Sequence, residues 1–144
     1  MSQTNELEIM ERIALDLEGV EESIASSFNT GAEDFNALIR PLSAAGGKRL
    51  RAQLCLLIAN AGTSVERQRI RIAEAVEMLH LATLIHDDVL DQAEIRRGED
   101  TIHMHKGNKV AILSGDYLFA KAFQIVSEMP DMKYLQIFSH IITC

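Results

Sequence analysis

The feature that most constrains the fold is a long stretch without a helix breaker. Neither glycine nor proline occurs between Val65 and Gly98. Apolar residues recur along it at the spacing of one helix face, namely Ile70, Ala73, Val76, Leu79 and Leu84. The stretch predicts one helix of up to about 30 residues, or ~45 Å, which Gly98 ends. A helix of that length can run the depth of a domain, so the other elements must pack around it.

Three carboxylates lie near the end of this predicted helix at the spacing DDxxD: Asp87, Asp88 and Asp91. Asp87 and Asp91 are four residues apart, so they share a face and are separated by about one turn, ~5.4 Å. Like charges so placed repel by roughly a few tenths of a kcal/mol when exposed. The pattern therefore favours a cation bound between them. His80 lies two turns below Asp87 on that face and is a candidate for the same site, although a lone histidine there is more often a core residue.

The rest of the chain also has helical periodicity. The stripe from Leu7 to Phe28 predicts a first helix whose acidic residues form a solvated face. A polar loop is expected from Glu99 to Lys109, with its two histidines on the surface. The segment 110–126 is apolar on nearly every face, which indicates a central position or a subunit interface, and its Asp116 is expected to be buried. Residues 1–144 are therefore predicted to form a single all-helical domain.

Charge and composition bound the class of protein. The net charge of −7 comes from the first 34 residues, which carry −8, whereas the remainder carries +1. The longest uncharged run is the 14 residues from Ala52 to Val65, too short for the ~18 or more that a membrane helix needs, so no membrane span is expected. Two cysteines make no disulfide framework, and no signal peptide is recognisable, so a reduced, cytoplasmic location is expected. No nucleic-acid partner is expected.

The stretch GGKRLR at 46–51 supports two interpretations. Glycines commonly stop one helix and let another begin, and the bases would then be surface charges. Alternatively, Gly46 and Gly47 let backbone amides approach an anion, to which Lys48 and Arg51 add positive charge. The spacing is not that of a Walker loop. The stretch alone does not decide between the two.

Taken together, the motifs resemble those of the trans-type isoprenyl (polyprenyl) diphosphate synthases. Four of them occur in the order of that family: GGKRLR at 46–51, LIHDDVLD at 84–91, RRG at 96–98 and GNKVAILSGDYLFAKAF at 107–123. The resemblance implies an all-α fold, an antiparallel helical bundle of the isoprenoid synthase type. It covers about the N-terminal half of a member, and the second aspartate-rich motif and the Lys-Thr pair of the family are missing. The loop RRGEDT also lacks the proline that members usually have before the threonine.

The resemblance implies a prenyltransferase. Such enzymes ionise an allylic diphosphate, add the cation to isopentenyl diphosphate and release a proton. By resemblance, Asp87 and Asp91 bind Mg²⁺, Asp88 supports them, and Arg96 holds the allylic diphosphate; these four are the expected catalytic residues. The residues expected to bind the other substrate, isopentenyl diphosphate, are Lys48, Arg51, His80 and Arg97.

Product length is expected to depend on Ala82 and Thr83. These residues lie five and four positions before Asp87, where the growing tail would descend along the helix. Short-chain relatives tend to have aromatic plugs there, so two small residues predict a long-chain product.

Two hypotheses remain open for the chain itself. In the first, it is a truncated synthase that is inactive alone because one of the metal sites is missing. In the second, it is a non-catalytic diphosphate-binding subunit of a two-component synthase. A homodimer or a heteromeric synthase is expected in either case. A terpene cyclase is a weaker alternative, because Lys48, Arg51 and Arg97 supply a second diphosphate pocket that a cyclase does not need.

Overall fold

The computed structural model describes residues 3–28, 33–44, 48–62 and 65–143. Seven helices and one two-stranded hairpin make up this part of the chain: α1 Gln3–Ser27, α2 Glu33–Ala44, α3 Leu50–Asn60, α4 Glu66–Leu90, β1 Ile95–Arg96, β2 Glu99–Asp100, α5 Ile102–Lys106, α6 Asn108–Ser127 and α7 Met132–Thr143. The prediction of an all-α fold is confirmed.

Helix α4 is the centre of the bundle. Its most extensive packing is against α6, and α3 and α1 contact it as well. Small and apolar residues on several of its faces are fully or almost fully buried, among them Ala73, Ala75, Met78, Ala82 and Ile85. Alanines at these positions let neighbouring helices approach closely, so α4 fixes the positions of the others.

The prediction that Gly98 ends this helix is wrong, because α4 ends at Leu90. Gln92 takes a left-handed conformation with φ 52°. The Ala93 amide then donates to the Asp88 carbonyl at 3.0 Å and the Gln92 amide to the Val89 carbonyl at 3.4 Å. This is the Schellman arrangement, here with glutamine at the position where glycine is usual. Without glycine, the sequence carried no recognisable stop signal.

A short hairpin follows, where helix and then a polar loop were expected. Arg96 pairs with Glu99 in the antiparallel ladder, so Arg97 and Gly98 are the two turn residues. Both have positive φ, 53° and 87°, as a type I′ turn requires. The segment expected to be a polar loop therefore contains β2 and α5. His105 is exposed, whereas His103 is half-buried and lies 3.0 Å from the Thr101 hydroxyl.

The acidic residues of α1 are only partly a solvated face, contrary to expectation. Asp16 is buried and accepts hydrogen bonds from Arg69 Nε at 3.0 Å and Nη2 at 3.1 Å. The buried Glu74 of α4 accepts hydrogen bonds from the hydroxyls of Ser23 and Ser27, each at 2.7 Å. Polar bonds of this kind fix the register of α1 on α4, which apolar packing alone leaves looser.

Helix α6 lies against α4 with one face and leaves apolar side chains exposed on the other. Leu118 and Ile125 are fully buried, while Ile112 and Leu113 are 43% and 56% exposed. By length and composition alone, this helix could cross a membrane, but the core helix of a soluble protein passes the same test. Asp116, expected to be buried, is exposed.

Candidate functional site

The three carboxylates of the DDxxD motif have different environments. Asp87 and Asp91 are exposed, whereas Asp88 is buried at 5% exposure. The Asp91 amide donates to the Asp87 carbonyl at 2.8 Å, so these two residues stack one turn apart. No ion pair or side-chain hydrogen bond engages either carboxylate within the described ranges. Two carboxylates on one face of the helix end are therefore available to a ligand.

These residues fit a magnesium ion only if a substrate completes its coordination. No three His, Cys, Asp or Glu side chains are grouped to hold a metal by themselves in the described part of the chain. Magnesium in phosphate-binding enzymes is typically held by one or two carboxylates together with phosphate oxygens and water. Asp87 and Asp91 supply that partial set.

Asp88 and Arg96 form a pair at the base of the hairpin. Arg96 Nε donates to Asp88 Oδ1 at 2.7 Å, with the arginine side chain 33% exposed. Thr101 closes the same loop by donating its hydroxyl to the Ala93 carbonyl at 2.8 Å. The structure thus places Arg96, in β1 of the hairpin, beside Asp88 of the motif.

A second cluster, of positive charge, lies lower on the same face of α4. Arg51 Nη1, from the first turn of α3, lies 3.1 Å from His80 Nε2. Arginine has no lone pair to offer, so His80 must accept this bond with an unprotonated Nε2. Lys48 is exposed two residues before α3 begins. The predicted residues Lys48, Arg51 and His80 are therefore brought to one end of α3.

The environment of His80 disfavours its protonation. Burial lowers the pKa of the imidazole, and the positive charges of Arg51, Arg97 and Arg96 lower it further, against an opposing effect of Glu77. The hairpin arginines are therefore close enough to act on His80 electrostatically. His80 and Asp87 are two helical turns apart, ~10 Å, so both clusters lie on one face of α4.

His86, the residue directly before Asp87, holds α6 against α4. His86 Nε2 lies 3.1 Å from the Ile112 carbonyl, and its ring stacks on Phe119 with centroids 5.7 Å apart. A methyl group at Gly115 would overlap this ring, so a larger residue there would force His86 to move. Asp116 lies 3.4 Å from the same nitrogen. The role of His86 was not predicted from the sequence, although its position directly before Asp87 is a usable signal.

The predicted chain-length residues and the predicted anion-binding glycines are not among the exposed charged groups. Ala82 is fully buried. Thr83 is half-buried and donates its hydroxyl to the His80 carbonyl at 2.8 Å. Gly46 and Gly47, the predicted anion-binding glycines, lie outside the described residues.

Arg49, which lies between the two exposed bases Lys48 and Arg51, was likewise not predicted to have a role. It is buried and contacts Glu21 of α1 and Glu77 of α4. The signal that could have found it is weak, because GGKRLR does not show which of its three bases points inwards.

Comparison with known proteins connects this arrangement to one family. The polyprenyl synthetase family model matches residues 32–143. Octaprenyl diphosphate synthase of Escherichia coli is 34% identical over 134 residues, which cover 93% of this chain and 42% of that protein. Solanesyl diphosphate synthase 1 of Arabidopsis thaliana is 32% identical over 140 residues, covering 93% of this chain and 34% of that protein. The chain therefore spans less than half the length of these relatives.

Solved structures agree with the sequence relatives. Polyprenyl synthase from Caulobacter crescentus, complexed with calcium and isoprenyl diphosphate, superposes with a TM-score of 0.83 at 37% identity, over 90% of this chain and 41% of that one. Heptaprenyl diphosphate synthase from Staphylococcus aureus gives a TM-score of 0.85 at 28% identity, over 91% and 42% of the two chains. The helices, the order of the motifs and the family match lead to one conclusion: the chain belongs to the polyprenyl synthetase family.

Proposed function

We propose that these 144 residues carry the first aspartate-rich motif and the isopentenyl diphosphate site of a trans-prenyl diphosphate synthase. The reaction joins an allylic diphosphate to isopentenyl diphosphate and extends the chain by one five-carbon unit. The observation that carries the proposal is the shared face of α4. On it, the exposed carboxylates of Asp87 and Asp91 lie two and three turns from the His80–Arg51 pair.

Each cluster suits one part of that reaction. Mg²⁺, when bound by Asp87 and Asp91, would neutralise charge on the departing diphosphate. Arg96 would act there as a fixed cation, oriented in advance by Asp88. Lys48, Arg51, His80 and Arg97 would hold the diphosphate of the second substrate. Arginine presents a planar fork that matches phosphate oxygens, so Arg51 and Arg97 are the stronger donors of the four.

Neighbouring side chains suggest a long product. Thr83 and Ala82 are small residues one turn below the carboxylates, and the relatives named above are octaprenyl and solanesyl synthases. Thr83 is the better residue to test because Ala82 is fully buried, where a larger side chain would crowd the core. Residues 32–143, grafted into the E. coli octaprenyl synthase in place of its matched segment, should give shorter products when Thr83 is changed to Phe. An unchanged product profile by chromatography would contradict this role.

We propose further that the isolated chain binds diphosphates without turnover. The match covers 42% of the E. coli relative, which favours a requirement for more protein, either a second half or a partner subunit as in a heteromeric synthase. A homodimer and a cytoplasmic location are part of the same proposal. Purified chain given an allylic primer, isopentenyl diphosphate and Mg²⁺ should incorporate no isopentenyl unit. Robust turnover would refute this part of the proposal.

Binding is the positive test. Calorimetric titration with inorganic diphosphate should show saturation in the presence of Mg²⁺. The double variant Asp87→Asn with Asp91→Asn should lose the Mg²⁺-dependent component. Glu18→Gln, an exposed acid on α1 that removes a similar charge, is the matched control and should bind as the unaltered chain does.

A further inference from the structure

Arg49 is surrounded by protein although both neighbouring bases of the motif are exposed. Its side chain is 5% exposed, whereas Lys48 and Arg51 lie on the surface. A buried guanidinium cannot reach a ligand at that surface. Its contribution to the cationic cluster must come through the residues on either side of it.

Two carboxylates from two other helices hold the guanidinium. Glu21 of α1 accepts from Arg49 Nε at 2.6 Å and from Nη2 at 3.1 Å, which is a bidentate pair. Glu77 of α4 lies 3.4 Å from Nη1 through its Oε2 atom. Burial opposes the protonated guanidinium, but the hydrogen bonds and charges of Glu21 and Glu77 outweigh it, so the pKa of Arg49 is raised. Arg49 thus connects α1, α3 and α4 at one point.

The same contact fixes the start of α3. Glu77 Oε1 accepts the Ala52 amide at 3.0 Å, in the first turn of α3, as a capping side chain would. Arg49 itself is the residue before the helix and has a left-handed φ of 45°. The Gln53 side chain donates to the Lys48 carbonyl at 2.7 Å and holds the preceding residue. A left-handed residue here reverses the chain sharply enough to put Arg49 inside and its neighbours outside.

One turn of α4 separates the two contacts that matter. Glu77 holds Arg49, and His80, three residues further on, lies 3.1 Å from Arg51. Residues three apart share a helix face, so one stripe of α4 holds both arginines. Rotation of α3 or of its first turn would break both contacts together.

We propose that Arg49 is a positioning residue of the diphosphate site, which it preorganises by directing Lys48 and Arg51 towards His80 through its bonds to Glu21 and Glu77. This inference rests on the proposed function. It predicts that the guanidinium fork matters, and that a positive charge alone is insufficient.

The test compares Arg49→Lys with Arg69→Lys. Lysine keeps the charge and loses the fork in both. Arg69 makes an equivalent buried pair between α4 and α1, with Asp16, and its partners among the described residues include no member of either cluster. Each variant is followed by thermal unfolding, by calorimetric titration with inorganic diphosphate, and by NMR titration of His80 without ligand. His80 reports the position of Arg51 independently of stability.

Arg49→Lys should weaken diphosphate binding by about tenfold, because a side chain that is no longer preorganised must be ordered on binding. It should also move the pKa of His80 up towards its ordinary value as Arg51 moves away. Arg69→Lys should lower the melting temperature and leave both other measurements unchanged. If Arg49→Lys leaves both unchanged, or if Arg69→Lys changes them equally, the proposal is wrong.

The proposal can still be tested if the chain binds no diphosphate or if Arg49→Lys does not fold. If the unaltered chain binds no diphosphate, the proposed function fails, but the His80 titration still shows whether Arg49 positions Arg51. If Arg49→Lys does not fold, Glu21→Gln replaces it, since the Glu21 side chain is 48% exposed and its loss is milder. That variant should raise the pKa of His80, and an unchanged value would overturn the proposal.

Discussion

The cationic cluster at the start of α3 and the acidic cluster at the end of α4 share one arrangement. In each, one charged residue is buried and paired while its neighbours are exposed. Arg49 is held by Glu21 and Glu77, with Lys48 and Arg51 outside. Asp88 is held by Arg96, with Asp87 and Asp91 outside. The inward member fixes the backbone, and the outward members are left for ligands.

The two clusters differ in where the inward residue finds its partners. Arg96 follows Asp88 by only 8 residues, in the hairpin that comes directly after α4. The partners of Arg49 lie 28 residues away on either side and belong to two different helices. The acidic cluster can therefore form locally, whereas the cationic cluster exists only when α1, α3 and α4 are assembled.

Replacing Glu77 by Gln should have the largest effect on stability. Glu77 is buried at 3% exposure, and its loss of charge leaves Arg49 only partly compensated. Breaking a buried pair in this way costs about 3 kcal/mol in the free energy of unfolding. Urea unfolding measures it, with Glu66→Gln, an exposed acid on the same helix, as the control. A loss no greater than that of the control would show that the Arg49 contacts do not hold the helices together.

Replacing Asp88 by Asn should cost less, about 1–2 kcal/mol, because its partner Arg96 is one-third exposed and can be resolvated. The damage should also be local. In the NMR titration, His80 should keep a lowered pKa, because burial and Arg51 lower it more than Arg96 does. A change as large as that caused by Arg49→Lys would show that the two clusters are not separate.

The same distinction explains what the sequence could predict. The shared face of Asp87 and Asp91 follows from a spacing of four on a helix, and the helix follows from the absence of breakers around it. The inward direction of Arg49 could not be predicted, since it depends on carboxylates 28 residues away. The end of α4 was missed because Gln92 takes a conformation that usually marks a glycine.

Arg96 and Arg97, which follow the DDxxD motif, were predicted only in part. RRG was recognised as part of a site, but its hairpin was not predicted. A type I′ turn is usually signalled by Asn-Gly or Asp-Gly, and here Arg97 takes the first turn position at φ 53°. Pairing of Arg96 with Asp88 stabilises a turn that local propensity does not favour.

A smaller effect should appear in the pH dependence of stability. The folded-state pKa of His80 lies below its ordinary 6.5, so the unfolded chain binds the proton more readily. The contribution of His80 is therefore fully present above pH 6.5 and is lost as the pH falls through the folded-state pKa. Urea unfolding across this window should show a weaker pH dependence for His80→Gln than for the unaltered chain. Identical profiles would contradict the assigned environment.

The exposed carboxylates should contribute least to stability. Asp87→Asn and Asp91→Asn should each change the free energy of unfolding by only about 0.2–0.5 kcal/mol, in the stabilising direction, because one like-charge repulsion on the helix is removed. Chemical denaturation without Mg²⁺ is the measurement. A clear loss of stability would mean that these residues belong, like Asp88, to the structural part of the cluster.

The most direct test of the account is calorimetric titration of the chain with an allylic diphosphate, with Mg²⁺ and then with a chelator. Saturable binding that requires Mg²⁺, disappears when Asp87 and Asp91 are both Asn, and persists in Glu18→Gln is the predicted result. Absence of binding in Mg²⁺, or binding that survives both the chelator and the loss of the two carboxylates, would contradict the assignment of this surface as a diphosphate site.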